Sequence, residues 1–204
     1  MEKVDLRKSL KDLYRLPKTN PVLVDIPPLK YLMIDGEGDP NTAESYRDAI
    51  GTLFPLSYGL KFLCKKGSLG VDYSVMPLEG LWWVDRMEEF TIHEKSAWKW
   101  TSMIMQPDFI TSSMLEEVTT ELKKKKKKLP SAGLVRLEGY EEGKSAQIMH
   151  IGPFSDEGPT IERLHAFIEQ QGYRRRGKHH EIYLSDVRRV APEKMKTIIR
   201  QPVS

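Results

Sequence analysis

Apolar residues recur along this chain with two periods, and the change from one to the other marks the elements. Tyr46, Ile50, Leu53, Ser57, Leu60 and Cys64 step by four and three, which sets them on one face of a helix. Ile110, Met114, Val118 and Leu122 define a second helix in the same way, and Ile161, Leu164, His165 and Ile168 a third. Leu6, Leu10, Leu13 and Tyr14 give a short amphipathic helix near the start. Strands are predicted at Leu29 to Asp35, Ala97 to Gln106, Val135 to Tyr140, Ser145 to Ile151, Glu181 to Leu184 and Thr197 to Gln201. Tyr73 to Met76 and Gly80 to Val84 read as extended.

Punctuation sharpens these bounds. Asn41 followed by Glu44 has the spacing of a capping box, and Pro55 predicts a kink or break in the helix that follows. Gly36-Glu37-Gly38-Asp39-Pro40 reads as a turn, since it lacks the third glycine of a dinucleotide fingerprint. Glu141-Glu142-Gly143 joins its two flanking strands as a hairpin. Pro159 suits the first turn of a helix and Gly172 its end.

The order then repeats. Each half reads strand, helix, strand, strand, with a lysine-ended helix between the halves. The expected fold class is α+β, with duplicated strand-helix-strand-strand units in pseudo-twofold symmetry. Its antiparallel sheets carry helices on one face, and a ligand cleft lies at the seam. The whole chain, 1–204, is one domain: a helical extension over 1–20, a first repeat over about 22–106, a connecting helix over 107–129 and a second repeat over about 134–203.

Composition excludes several classes of function. The 32 basic and 29 acidic residues balance too evenly to predict nucleic-acid binding. The single cysteine, Cys64, forms no internal disulfide, and its place on an apolar helix face predicts a packing role in a reducing compartment. There is neither a signal-peptide pattern nor an apolar run of membrane-spanning length, so a cytoplasmic protein with no membrane partner is expected. Lys123 to Lys128 reads first as a solvated helix end that complements the helix dipole, with a polyanion site as the alternative.

Candidate chemistry gathers around Lys178-His179-His180-Glu181-Ile182-Tyr183-Leu184. Period two sends Glu181 and Tyr183 to one side of that strand and Ile182 and Leu184 to the core. Glu181 is either an ordinary exposed carboxylate or the one charge in an aromatic pocket. All four tryptophans, Trp82, Trp83, Trp98 and Trp100, fall on two stretches expected to be neighbouring strands. They either pack a core or wall a cleft for a planar ligand. Only one of Trp82 and Trp83 can face such a cleft, and Trp82 is the choice; Trp98 and Trp100 share a face. Phe154 and Tyr183 complete the expected lining, with Tyr46 and Tyr73. No metal site is predicted, because His179-His180-Glu181 on a strand cannot aim two imidazoles as a helical H-E-x-x-H does. His93, His150 and His165 lack ligand spacing. Arg174-Arg175-Arg176 reads as a solvated loop.

Ile151-Gly152-Pro153-Phe154, the helix after it, Glu181-Ile182-Tyr183-Leu184 and the terminal Thr197-Ile198-Ile199-Arg200-Gln201-Pro202-Val203 resemble the GyrI-like small-molecule-binding family. Asp72 to Trp83 and Trp98 to Pro107 are similar to a stand-alone bacterial branch of it, the cyclopropanoid cyclopropyl hydrolases. The likeness runs from about residue 20 to the end. It implies a drug-binding cleft built by the duplicated unit, with Glu181 as its carboxylate, and binding of a planar, hydrophobic small molecule. About 20 residues precede the first strand, too few for the helix-turn-helix of family members that act as regulators. The hydrolase branch is therefore the favoured expectation, with hydrolysis of cyclopropanoid DNA-alkylating compounds as a protective activity. The alternative is a non-catalytic drug sink or sensor for lipophilic cations.

On the first expectation, water opens a cyclopropane conjugated to a dienone. Glu181, its pKa raised by the surrounding rings, serves as general base. Tyr140 hydrogen-bonds the oxygen on which charge develops. No cofactor is needed, and a monomer or homodimer suffices.

Overall fold

The computed structural model describes residues 2–17, 20–87 and 94–204; His93 lies outside them. Among the described residues, ten strands and five α-helices make an α+β arrangement. A short parallel pair, β1 (Glu2–Val4) with β4 (Val71–Tyr73), stands apart from an eight-stranded antiparallel sheet. That sheet contains β2 (Val22–Ile26), β3 (Leu29–Glu37), β5 (Leu78–Trp83), β6 (Lys99–Gln106), β7 (Arg136–Tyr140), β8 (Gly143–Ile151), β9 (His179–Tyr183) and β10 (Lys196–Pro202). Their order is β2-β8-β10-β9-β5-β6-β3-β7. Exchanging β2, β3, β5 and β6 for β7, β8, β9 and β10 gives the same order read from the other end.

The expected β7–β8 hairpin does not form. β7 pairs with β3, and β8 with β2 and β10. The ladder runs Ile26↔Gly143 and resumes at Leu29↔Tyr140, an advance of three residues on each side, so one register continues across the gap. β2 with β3 and β7 with β8 are thus arms of two long segments that cross. Pro27 and Pro28, which have no N–H to donate, interrupt the ladder opposite Glu141 and Glu142. A hairpin would have paired β7 with its own successor; here each half lends an outer strand to the other.

Cross-strand register assigns the faces. Ser102↔Gly80, Gly80↔Glu181, Glu181↔Ile199 and Ile199↔Ile148 form one transverse row of side chains on a single face. Helix α3 (Glu44–Lys66) covers one half of that face, where Gln106 of β6 donates to Ser57 at 3.2 Å. Helix α5 (Gly158–Gln170) covers the other, with Leu164 and Ile168 packed on Ala146, Ile148 and Ile199. The pair β5–β9 lies between them and is the seam. The opposite face is met by the N-terminal turns α1 (Leu6–Ser9) and α2 (Lys11–Tyr14), which replace the single helix expected there.

Pro55, where a kink or a break was expected, does not break α3, which runs unbroken through it. The carbonyl that loses its partner belongs to Gly51, at an exposed position where water can satisfy it. The capping box is absent too: Ala43 is the N-cap, and Asn41 instead bonds Asp39. Helix α4 (Ser112–Lys124), capped by Thr111 on Met114 N–H, packs against α3 through Val118. Gly59 makes this possible, since a Cβ there would lie 2.3 Å from Val118 Cγ1. No helix among the described residues is long and apolar enough to cross a membrane.

Candidate functional site: a carboxyl pair in an aromatic cluster

Period two on β9 puts His179, Glu181 and Tyr183 on the helix-covered face and His180 and Ile182 on the other. Glu181 is only 8% exposed. Tyr183 donates its hydroxyl to Glu181 Oε2 at 2.7 Å, and His179 Nε2 lies 3.1 Å from Oε1. Trp82 Nε1–H in turn donates to the Tyr183 hydroxyl at 3.2 Å. Gly80, directly across the seam from Glu181, has no side chain to obstruct this arrangement.

Around these polar groups the rings lie in contact. Tyr46, from the first turn of α3, sits 5.6 Å from Trp82 and 5.1 Å from Trp100 between centroids. Trp82 and Trp98 are 5.3 Å apart, and Phe154 meets Tyr183 edge-on at 5.5 Å. Trp82, Trp98 and Trp100 are buried, whereas Phe154, 39% exposed, and half-buried Tyr183 are open to solvent at the rim. Tilted and edge-on contacts of this kind are the favoured geometry for quadrupolar rings. Lys95 lies over the Trp98 ring at 5.1 Å. The structure therefore brings together Glu181, Tyr183, Trp82, Trp98, Trp100, Tyr46 and Phe154. Trp83 faces the other way, under Lys178.

Two expected site residues, Tyr73 of the lining and Tyr140 of the catalytic pair, are elsewhere. Tyr73 belongs to β4 and packs on Phe109, with Lys61 over its ring, at the far end of α3. Tyr140 pairs with Leu29, so alternation carries it to the opposite face of the sheet. There burial and Glu142 push its pKa up to about 12, partly offset by Arg176 and Arg200. It has no path to Glu181.

The expected rise in the pKa of Glu181 is also reversed. Burial does penalise its charge, but His179, Tyr183 and Glu157 together outweigh that penalty and hold it below the ordinary value. The raised acid is Glu157, buried at the N-cap position of α5 with its carboxyl beside that of Glu181. Desolvation and the neighbouring charge of Glu181 push it far up. Sequence reasoning passed over this residue. The available signal was its position: a glutamate just ahead of Gly158-Pro159, where the helix begins beside the seam. Tyr183, raised by burial and then by Glu181, keeps its proton and so remains a donor.

Beneath the seam, the other face of β9 holds a polar cluster. His180 bonds Glu142 through Nδ1 at 2.9 Å and Glu79 through Nε2 at 2.9 Å. Arg200 donates to Glu142 at 3.0 Å, to Gln147 at 3.1 Å and to Leu13 O at 3.1 Å, and Tyr14 donates to Glu79 at 2.7 Å. Two carboxyls against one imidazole and one guanidinium balance in charge, which lets so polar a set remain buried. The arginine run is exposed, with Arg176 donating to Val203 O and Arg175 to His165 Nδ1.

No cluster of His, Cys, Asp or Glu suited to a metal ion occurs among the described residues. A groove of about 590 Å³ between α4 and β7, lined by Leu115, Thr119, Val135 and Arg136 among others, has no aromatic wall and lies away from Glu181. The seam, where buried charge and rings coincide, is the better candidate.

Residues 19–204 match the model of the GyrI-like small molecule binding domain, and the chain belongs to that family. A hydrolase from Listeria innocua superposes with a TM-score of 0.88 at 41% identity, covering all of both chains. An uncharacterized conserved protein of the same organism gives 0.90 at 42% identity, over 98% of this chain and all of that one. The EcmrR C-terminal domain, at 12% identity and a TM-score of 0.58, covers 91% of this chain and 98% of its own and shares the fold alone. Among curated proteins, none matches the chain.

Proposed function

We propose that this protein binds planar, lipophilic compounds at the seam and hydrolyses cyclopropanoid alkylators there, protecting the cell that makes it. The observation that carries this reading is the Glu181 carboxylate, kept ionised by Tyr183 and His179 while surrounded by indole and phenol rings. Its lowered pKa keeps the carboxylate in the ionised form that can accept a proton from a water held beside it. The rings supply flat surfaces that fix a planar ligand in one orientation. Because the rings pack on one another, a ligand enters by replacing ring–ring contacts, beginning at Phe154 and Tyr183 on the rim.

In the reaction, Glu181 takes a proton from water as the water oxygen bonds to a cyclopropane carbon. The strained carbon–carbon bond breaks, and its electron pair moves through the dienone to the carbonyl oxygen, giving a phenolate that takes up a proton to become a phenol as Glu181 gives up its own. Tyr46 and Tyr183 are the phenols close to this chemistry, in place of Tyr140. The hydrolase from Listeria innocua, alike along its whole length, supports a hydrolytic role.

The same anionic charge among ring faces favours a second reading, a binder of lipophilic cations held by charge and cation–π attraction. Incubating the purified protein with a cyclopropanoid alkylator and following its mass separates the two. Repeated formation of a product heavier by one water supports hydrolysis; unchanged compound held at one per protein supports the binder.

A further inference from the structure

The seam holds two acids, and the reaction as written uses only one. Glu157 is 4% exposed, its carboxyl lies against that of Glu181, and its Oε1 has no partner among the described residues. Two buried carboxyls in contact do not both ionise, because each charge raises the cost of the other. The groups facing the pair decide which one keeps the proton. From β9, Tyr183 and His179 are both aimed at Glu181, and Tyr46 of α3 lies within its field. Lys95, from the segment between β5 and β6, and Thr197 of β10 face Glu157. With two donors at Glu181, the negative charge settles there and the proton on Glu157.

We propose that Glu157 is the proton donor of the hydrolysis and Glu181 its acceptor, the two exchanging one proton between their adjoining carboxyls. This rests on the hydrolase reading above. Glu181 takes the proton of the attacking water as the carbon–oxygen bond forms and the cyclopropane bond breaks. Glu157 delivers its own proton to the carbonyl oxygen that receives the electron pair. Glu181 is then neutral and Glu157 ionised, and one proton passing from the first to the second restores the starting state. Water is added, no net proton is consumed, and no oxidant or reductant takes part. The unpartnered Oε1 of Glu157 is an oxygen that the resting protein leaves unused.

Two measurements test the assignment. Infrared difference spectra of wild-type protein against Glu157→Gln, taken at neutral pH without substrate, should show a protonated carboxyl that the variant lacks. The pH dependence of kcat/KM for a cyclopropanoid alkylator should be bell-shaped in the wild type. In Glu157→Gln, whose amide still donates to Glu181, the rate should fall by roughly 10²-fold or more and the alkaline limb should vanish. Glu157→Asp should recover that limb. An absent carboxyl band, or a Gln variant with the wild-type rate and profile, overturns the proposal and leaves the hydrolase reading standing. A wild-type protein that never turns the compound over defeats that reading, and this role with it, even if the band is present.

Discussion

Gly80 is the cross-strand partner of Glu181, and the space of its missing side chain is taken by the Trp82 indole. A Cβ at Gly80 would stand 2.8 Å from Trp82 Nε1, the atom that donates to Tyr183. The glycine thus governs the chain of hydrogen bonds from Trp82 through Tyr183 to Glu181. Gly36 does the same for Trp100, whose ring lies 2.2 Å from where its Cβ would be.

Gly80→Ala should therefore displace Trp82. Overpacking of this kind costs about 1–3 kcal/mol. Denaturant unfolding should register that loss, with altered tryptophan fluorescence in the folded state. Unchanged stability and emission would show that the indole does not depend on this gap.

Tyr183→Phe removes the donor at 2.7 Å from Glu181 and leaves Trp82 Nε1–H without its acceptor. A lost hydrogen bond to a charged group costs about 1.5–3 kcal/mol. The folded-state pKa of Glu181 should rise, and the acid limb of any activity should move to higher pH. Tyr140→Phe, on the opposite face, should leave that limb where it is. A shift in the second variant and none in the first would reverse the assignment of the two phenols.

The cluster beneath the seam predicts a stability profile bounded on both sides. Although burial penalises its charge, Glu142 is held at about 2 by His180 and Arg200, below its ordinary 4.5. Its contribution is complete above the unfolded value and is lost as pH falls from 4.5 through about 2. His180 is raised by Glu142 and Glu79 against the opposing effect of burial. Its contribution is therefore present below the unfolded value of 6.5 and lost as pH climbs through the raised folded value. Glu142→Gln should cost about 3–5 kcal/mol, since it leaves buried cations with too little countercharge. It should also flatten the acid side of the melting-temperature profile. A profile that keeps its acid slope in the variant would place the titrating group elsewhere.

Much of the site was legible in the sequence. Alternation on one strand sufficed to place Glu181 with Tyr183, and the same rule separated Trp82 from Trp83. It also sends His180 to the face away from Glu181, yet the partners of His180 come from residues 79 and 142, whose meeting depends on strand order. Strand order was the part the chain concealed. Glu141-Glu142-Gly143 has the composition of a hairpin turn, and nothing local shows that β7 prefers β3 to β8. Tyr140 and Tyr73 were misplaced for the same reason: their faces follow from partners far along the chain. Glu157 was missed because it lies in a turn, outside any periodic pattern.

The central claim is that an ionised Glu181 acts on a ligand held among the rings, and replacing that one carboxylate tests it most directly. Wild-type protein and Glu181→Gln should be compared on a neutral cyclopropanoid alkylator for both binding and turnover. The account predicts similar affinity in the two proteins, with turnover lowered by about 10²–10⁴-fold in the variant. Turnover by Glu181→Gln at the wild-type rate would contradict it.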